Sequence, residues 1–316
     1  MEKEYAIGVD VGGTAIKFGI CSGEGDLLSE DEVSTPAKAP KEEILGKLEE
    51  IINKTVKTAK SRNLPISAIG IGTPGSVDLA RGYLKGGTPN FANWKDVAIS
   101  DYLEKRVSTP VFADNDANLM AFGEFAFGAG KNSKNAVFVT LGTGIGGGVI
   151  IDGEIYRGTY YAGAEIGHMS IDYKGRKCRC GGTGCWEQYA SATAMVREYK
   201  SANPGNPVSN TKELFERYES GEAEAKAVLE RVVEYLGAGT ANIINIFNPE
   251  IIVIGGGVSQ AGEWFIEKIR ISAFGRAMGP SQENVEIKAA SLGNTAGMLG
   301  AAAFALKMNR ESGTGK

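Results

Sequence analysis

Val139-Thr140-Leu141-Gly142-Thr143-Gly144-Ile145-Gly146-Gly147-Gly148-Val149-Ile150-Ile151-Asp152-Gly153 contains the spacing Gly142-x-Gly144-x-x-Gly147. That spacing fits the dinucleotide fingerprint, which requires a helix after the glycines. Here Val149-Ile150-Ile151 follows and then Asp152-Gly153, a β-branched strand entering a hairpin turn. The segment reads strand, glycine turn, strand, so a Rossmann crossover is excluded. The same plan stands near the start of the chain, in Ile7-Gly8-Val9-Asp10-Val11-Gly12-Gly13-Thr14. No Walker A pattern occurs. Two such loops, one in each half, point weakly to a duplicated plan: two domains, each a β-meander with helices, facing a cleft.

Asp10–Lys17 shows what such a loop offers. Its glycines free backbone N–H groups to face a phosphate, Thr14 adds a hydroxyl and Lys17 a positive charge. Asp10 suits a magnesium ion held through water, since magnesium sheds its waters reluctantly. A hairpin turn that uses glycine for geometry alone reads equally well at this point.

Residues 5–9, 16–21 and 27–33 read as strands joined by short turns, an antiparallel meander. Residues 41–60 form an amphipathic helix with Ile44, Leu48, Ile51, Ile52 and Val56 inward. A strand at 68–72 ends in Thr73-Pro74-Gly75. A helix at 99–106 leads to a strand at 111–113, then Asp114-Asn115-Asp116 and a helix at 117–127. Beyond residue 136 come strands at 136–141 and 149–151 and a mostly helical stretch with one long or broken helix at 223–247. A strand at 251–254 runs into Gly255-Gly256-Gly257. A strand at 285–289 and a helix at 295–306 close the pattern, and the polar tail 309–316 is expected to fray.

The single histidine of the 316 residues lies just ahead of three of the four cysteines. Glu165-Ile166-Gly167-His168 is followed by Cys178-Arg179-Cys180-Gly181-Gly182-Thr183-Gly184-Cys185-Trp186-Glu187. His168, Cys178, Cys180 and Cys185 make a Cys₃His set suited to tetrahedral, structural Zn²⁺. The alternative is a reduced thiol cluster beside a core histidine. With zinc in place, the flanking carboxylates Glu165 and Glu187 would be fixed in space.

Bulk properties exclude several classes. The net charge is −4, from 34 basic and 38 acidic residues, which offers no footprint for nucleic acid or anionic membrane. The charged start has no signal-peptide pattern and no apolar run is long enough to span a bilayer. A cytoplasmic protein with thiols as metal ligands is expected. Cys21, in an apolar strand, reads as a core thiol.

Asp114-Asn115-Asp116 lies where a strand meets a helix start. Asp116 fits a helix N-cap. It also fits a general base at a strand's carboxyl end, where open α/β sheets bind ligands. Phosphoryl transfer to an alcohol needs a metal–nucleotide cradle, a base for the hydroxyl proton and groups that orient the acceptor. Asp116 supplies the base; Asn90, Asn115, Glu165, His168 and Glu187 supply donors and acceptors for a ring of hydroxyls.

Taken together, Asp10–Lys17, Thr73-Pro74-Gly75, Pro89-Asn90, Asp114-Asn115-Asp116, the loop 141–148, Glu165–His168 and Cys178–Glu187 resemble the ROK family of bacterial sugar kinases, across nearly the whole chain. The resemblance implies a two-domain α/β fold, actin/hexokinase-like (ribonuclease H-like), with mixed sheets and a cleft. It implies a smaller domain of residues 1–116 plus 296–316 and a larger one, 117–295, carrying the zinc segment 165–187. It makes Asp116 the base on a sugar 6-hydroxyl, with Gly75, Asn90, Asn115, Glu165, His168 and Glu187 on the sugar. ATP and Mg²⁺ would be held by Asp10, Gly12, Gly13, Thr14, Lys17, Thr143, Gly144 and Gly255–Gly257. Among the family the glucokinases look closest, and a homo-oligomer is expected.

Kinases for N-acetylmannosamine, N-acetylglucosamine or fructose share these motifs. ROK-type sugar-responsive repressors carry an N-terminal helix-turn-helix domain, for which the strand at Tyr5 leaves no room. A sugar-binding protein without turnover is disfavoured by Asp10, Thr14 and Asp116. A polyphosphate-using kinase is disfavoured by the cysteine segment.

Overall fold

The computed structural model of the chain describes residues 3–86 and 91–313. They form two compact units. The first comprises residues 1–132, 155–163 and 294–316, and the second 133–154 and 164–293.

The sheet of the first unit is mixed. Its strand order is Leu27–Ser34, Ala15–Ser22, Tyr5–Val11, Ile66–Thr73, Val111–Asn115. The first three strands are the expected antiparallel meander, and the last two run parallel to Tyr5–Val11. Burial explains the order. Tyr5–Val11 and Ile66–Thr73 are apolar on both faces, as central strands must be. Leu27–Ser34 exposes Glu30, Asp31 and Glu32, charges that blunt an open edge.

The helix Lys41–Ser61 buries Ile44, Leu45, Leu48, Ile51 and Ile52. Val56 is partly buried and packs against the same core, and Thr55 is buried too, with its hydroxyl bonded back to Ile51 O at 2.8 Å. Three short strands, Ser76–Asp78, Tyr83–Gly86 and Val97–Ala98, form a small sheet that hydrophobic pattern did not announce. Two or three residues carry too little periodicity to be read.

The helix Ala296–Gly313 returns to this unit and runs through the tail expected to fray, as far as Gly313. It lies on two strands at glycines. A Cβ at Gly8 would come within 2.0 Å of Met298 O, and one at Gly70 within 1.9 Å of Ala301 O. The helix Asp116–Phe127 packs on the same helix, with Phe122 against Phe304 edge to face. That packing places residues 117–132 in the first unit, whereas the resemblance implied a boundary at residue 116. Residues 155–163 join it too.

The second unit repeats the plan. Its sheet runs Glu154–Ile155, Ile145–Ile151, Ala136–Leu141, Ile251–Gly255, Glu286–Ala289. Asp152 and Gly153 both take left-handed backbone, at φ 51° and 81°, as a tight hairpin turn requires. The helix Ala223–Phe247 is unbroken. Among the described residues no helix is long and apolar enough to cross a membrane.

We expect Gly70→Ala to lower unfolding free energy by about 3 kcal/mol, because the last helix must move away. Gly46→Ala, on a helix face with nothing within 4 Å, should instead stabilise by up to about 1 kcal/mol. Urea unfolding of both variants checks this; equal effects would refute the packing argument.

Candidate active site

Three parallel strands of the first unit end side by side. Asp10 is level with Gly72, Gly72 with Asp114 and Thr73 with Asn115. The loops that follow, Gly12–Thr14, Pro74-Gly75 and Asp116 at its helix start, therefore share one edge of the sheet. Gly13 and Thr14 are exposed there. Lys17 lies directly across from Asp10 on the neighbouring strand.

Asp10 is the perturbed carboxylate of this edge. Burial and then the negative charge of Asp116 push it up to about 6, with Lys17 pulling the other way. Asp116 is half-buried, and its Oδ1 accepts from Ala117 N at 2.9 Å. It is not the helix cap. Asn115 holds that position, its Oδ1 accepting from Asn118 N at 3.1 Å, while its Nδ2 donates to Gly75 O at 3.1 Å. Asn115 was expected on the sugar; its amide is already engaged at both ends, locking the turn to Gly75. Asn90 lies outside the described residues.

Asp114 is buried, and its carboxylate is saturated. Oδ1 accepts from Asn115 N at 2.7 Å and from Asn118 Nδ2 at 3.3 Å. Oδ2 takes Arg157 Nε at 2.7 Å and Nη2 at 2.6 Å. This ion pair ties residues 155–163 to the first unit, with Lys85 over the Tyr161 ring and Arg157 over the Phe304 ring as further contacts. Sequence reading missed Arg157, since a lone arginine in Tyr156-Arg157-Gly158 has no informative spacing.

In the second unit the two glycine loops are neighbours, because Ala136–Leu141 and Ile251–Gly255 run parallel with Gly255 level with Thr140. Gly256 has φ 86° and a Cβ there would lie 2.4 Å from Leu141 O, so only glycine fits. Thr143 is exposed. Gly144 does not take left-handed backbone; its constraint is Glu187, whose Oε2 would lie 2.6 Å from a Cβ at that position. The loop expected at a phosphate thus also sets where a carboxylate expected on the sugar can sit.

Glu165 and His168 flank the turn Ile166–His168, and both are exposed. His168 Nδ1 lies 3.7 Å from Cys178 Sγ, and Cys180 Sγ lies 3.6 Å from Cys185 Sγ. The four candidate ligand atoms are all within 4.8 Å of one another. A tetrahedron with Zn–S bonds near 2.3 Å sets its sulfurs about 3.8 Å apart, so the donor set and its spacing fit zinc. With Nδ1 beside the thiols, Nε2 is left on the far side of the ring. Beyond the last cysteine, Trp186 is fully buried, donates to Tyr235 O at 2.8 Å and packs where Gly239 has no side chain. Trp186 and the cysteine cluster hold Glu187 from both sides, and Glu187 Oε1 accepts from Cys178 Sγ at 3.3 Å and Gln188 Nε2 at 3.3 Å.

A family model described as the ROK family matches residues 6–308. The chain belongs to the ROK family. This ROK protein is 38% identical over 318 aligned positions to a glucokinase of Thermotoga maritima, covering 96% of this chain and 98% of the relative. It is 31% identical over 308 positions to the xylose repressor of Bacillus spizizenii, covering 96% of this chain and 77% of the repressor. Among solved structures, a ROK family glucokinase from Streptomyces griseus in complex with glucose and AMPPNP matches with a TM-score of 0.80 at 36% identity, covering 96% of this chain and 99% of that one. The fold is the mixed α/β, actin/hexokinase-like one that the sequence motifs implied.

The Asp10 shift carries a stability consequence. A carboxyl held near 6 in the fold and near 3.8 when unfolded binds its proton more tightly when folded. Its unfavourable contribution is absent below pH 3.8, grows as pH rises toward 6 and is complete above that. We expect the isosteric Asp10→Asn variant to match the parent near pH 4 and to exceed it by about 1–3 kcal/mol at pH 8. Thermal unfolding of both across that range checks it; a constant difference would refute the assignment.

Proposed function

We propose that this protein is an ATP-dependent sugar kinase and that its acceptor is the 6-hydroxyl of D-glucose. The observation that carries the reading is the grouping, on one edge of the first sheet, of a raised Asp10, an exposed Gly13–Thr14 turn and the Asn115-locked Asp116. A carboxyl raised by burial and a neighbouring charge at a strand end is a candidate functional group. The glucokinase relatives and the full-length match to a glucose- and AMPPNP-bound ROK glucokinase support the same chemistry.

In this reading Asp116 accepts the proton of the attacking hydroxyl. The backbone N–H groups of Gly12–Thr14, with Thr143–Gly144 and Gly255–Gly257, hold the nucleotide phosphates. Asp10 and Lys17 face each other on the strands that flank the first loop; Asp10 would hold magnesium, which would neutralise phosphate charge. Glu165, His168 through Nε2, and Glu187 read hydroxyls of the sugar. Asn115 fixes the turn and has one remaining N–H for a hydroxyl. His168, Cys178, Cys180 and Cys185 hold a structural zinc ion whose role is to place Glu187 and His168.

A repressor role is the second reading, since xylose repressors are relatives. The match covers 77% of that repressor's length. Turnover separates the two readings.

Three measurements test the function. Coupled ADP release should give kcat/KM for glucose above that for N-acetylglucosamine, N-acetylmannosamine, fructose and xylose; a tenfold preference for another sugar overturns glucose while leaving the kinase. Asp116→Asn should fold normally, since Asn115 provides the cap, and lose roughly 10²–10⁴-fold in kcat. Protein prepared without chelator should contain one zinc per chain, and Cys180→Ser should lose it and raise KM for sugar; metal-free parent protein would sink the zinc assignment.

A further inference from the structure

Arg157 stands out among groups that the proposed chemistry does not use. It is 13% exposed and its partner Asp114 is 2% exposed, so this ion pair lies almost wholly out of water. Both of its donors converge on one oxygen of Asp114, while the other oxygen holds the Asn115 amide and the Asn118 side chain. Asn118 is in turn the residue whose N–H is capped by Asn115. The carboxylate of Asp114 is therefore the hub of the strand-to-helix turn that presents Asp116, two residues on. A buried carboxylate with no counter-charge would be strongly disfavoured in its ionised form, so the geometry of the hub depends on Arg157.

Arg157 is itself held. Its carbonyl accepts from Gly163 N at 2.8 Å, closing residues 157–163 into a loop, and its Nη1 donates to Ile155 O at 3.1 Å. The guanidinium lies 5.4 Å from the centroid of the Phe304 ring. The tip of the loop is open, with Tyr160 81% exposed. Nothing else in the loop reaches the turn as Arg157 does among the bonds described above, and the loop leads directly in sequence to Ala164-Glu165.

We infer that Arg157 is a positioning residue for the catalytic base: by saturating Asp114 it fixes the direction in which Asp116 faces the acceptor hydroxyl. The inference rests on the proposed role of Asp116. It requires no contact between Arg157 and sugar, nucleotide or metal.

The test compares Arg157→Met, Arg157→Lys and Asp114→Asn/Arg157→Met with the parent and with Asp116→Asn, by steady-state kinetics, glucose binding without nucleotide and thermal unfolding. Loosening the turn should lower kcat of Arg157→Met by roughly 10–100-fold, as small misplacements of reacting groups do, with glucose affinity and KM for ATP within about threefold of the parent. Arg157→Lys keeps the charge but loses the planar fork of Nε and Nη2, and should fall between. Removing the stranded charge in the double variant should restore folding stability without restoring kcat. A folded Arg157→Met with parental kcat overturns the inference. So does equal loss of glucose binding and kcat in both single variants, which would make Arg157 a residue of the fold alone. Should Arg157→Met fail to fold, Arg157→Lys decides: parental kcat refutes, a several-fold drop at unchanged glucose affinity supports. Asp116→Asn separates the two levels. If it is slow while Arg157→Met is fast, only the Arg157 role fails; if it is fast, the base assignment fails and this inference fails with it.

Discussion

Parallel register at the centre of each sheet is the constraint on which the rest depends. Parallel strands leave their carboxyl ends on the same edge, so every loop leaving that edge is brought to one place. In the first unit this aligns Asp10 with Gly72 and Asp114; in the second it aligns Thr140 with Gly255. The alignment follows from strands too apolar to lie at an edge, and the glycines within them let a helix approach the sheet closely. Packing in the core thus determines which polar residues become neighbours.

Collecting polar ends in one place has a cost that the turn Asp114-Asn115-Asp116 makes visible. A buried carboxylate must be matched donor for donor. Asp114 is matched by two backbone or amide donors and by Arg157, and Asn115 gives its oxygen to the helix cap and one N–H to Gly75. Asp114 is therefore committed to geometry and Asn115 mostly so, which leaves Asp116 as the carboxylate suited to chemistry. Asp10 shows the converse. It remains a carboxylate in a place that resists its charge, an arrangement that lowers stability and is common where function requires it.

The sequence showed the architecture well where patterns were long. The meander, the helix over 41–60, the glycine turns and the absence of a helix after Gly147 were all legible, since each rests on periodicity or turn chemistry within ten or twenty residues. The ligand cluster was legible because four rare side chains fall within eighteen residues. What escaped had no local signature. The three short strands between Ser76 and Ala98 are pairings between pieces too brief to show a period. The unit boundary depends on Phe122 meeting Phe304, far away in sequence. The capping role passed from Asp116 to Asn115 because both residues suit it and only backbone angles decide. Arg157 was invisible because its partner lies 43 residues earlier.

Glu187 shows how such distant constraints combine on one side chain. Its backbone is fixed by Trp186, which is buried to the last atom in a notch that Gly239 leaves open. One carboxylate oxygen lies by Cys178 and 3.9 Å from His168 Nδ1, and the other lies over Gly144. A shorter aspartate on the same backbone would not span from the cysteine cluster to the glycine loop, and a side chain on Gly144 would push the carboxylate off it. The histidine–cysteine set and the glycine loop look like separate motifs in the sequence, one for a metal and one for phosphate. In the folded second unit they are the two walls of a slot that admits a glutamate and dictates its direction. Identity at Gly144 and at the cysteines is therefore constrained by the same carboxylate, whatever ligand each loop receives.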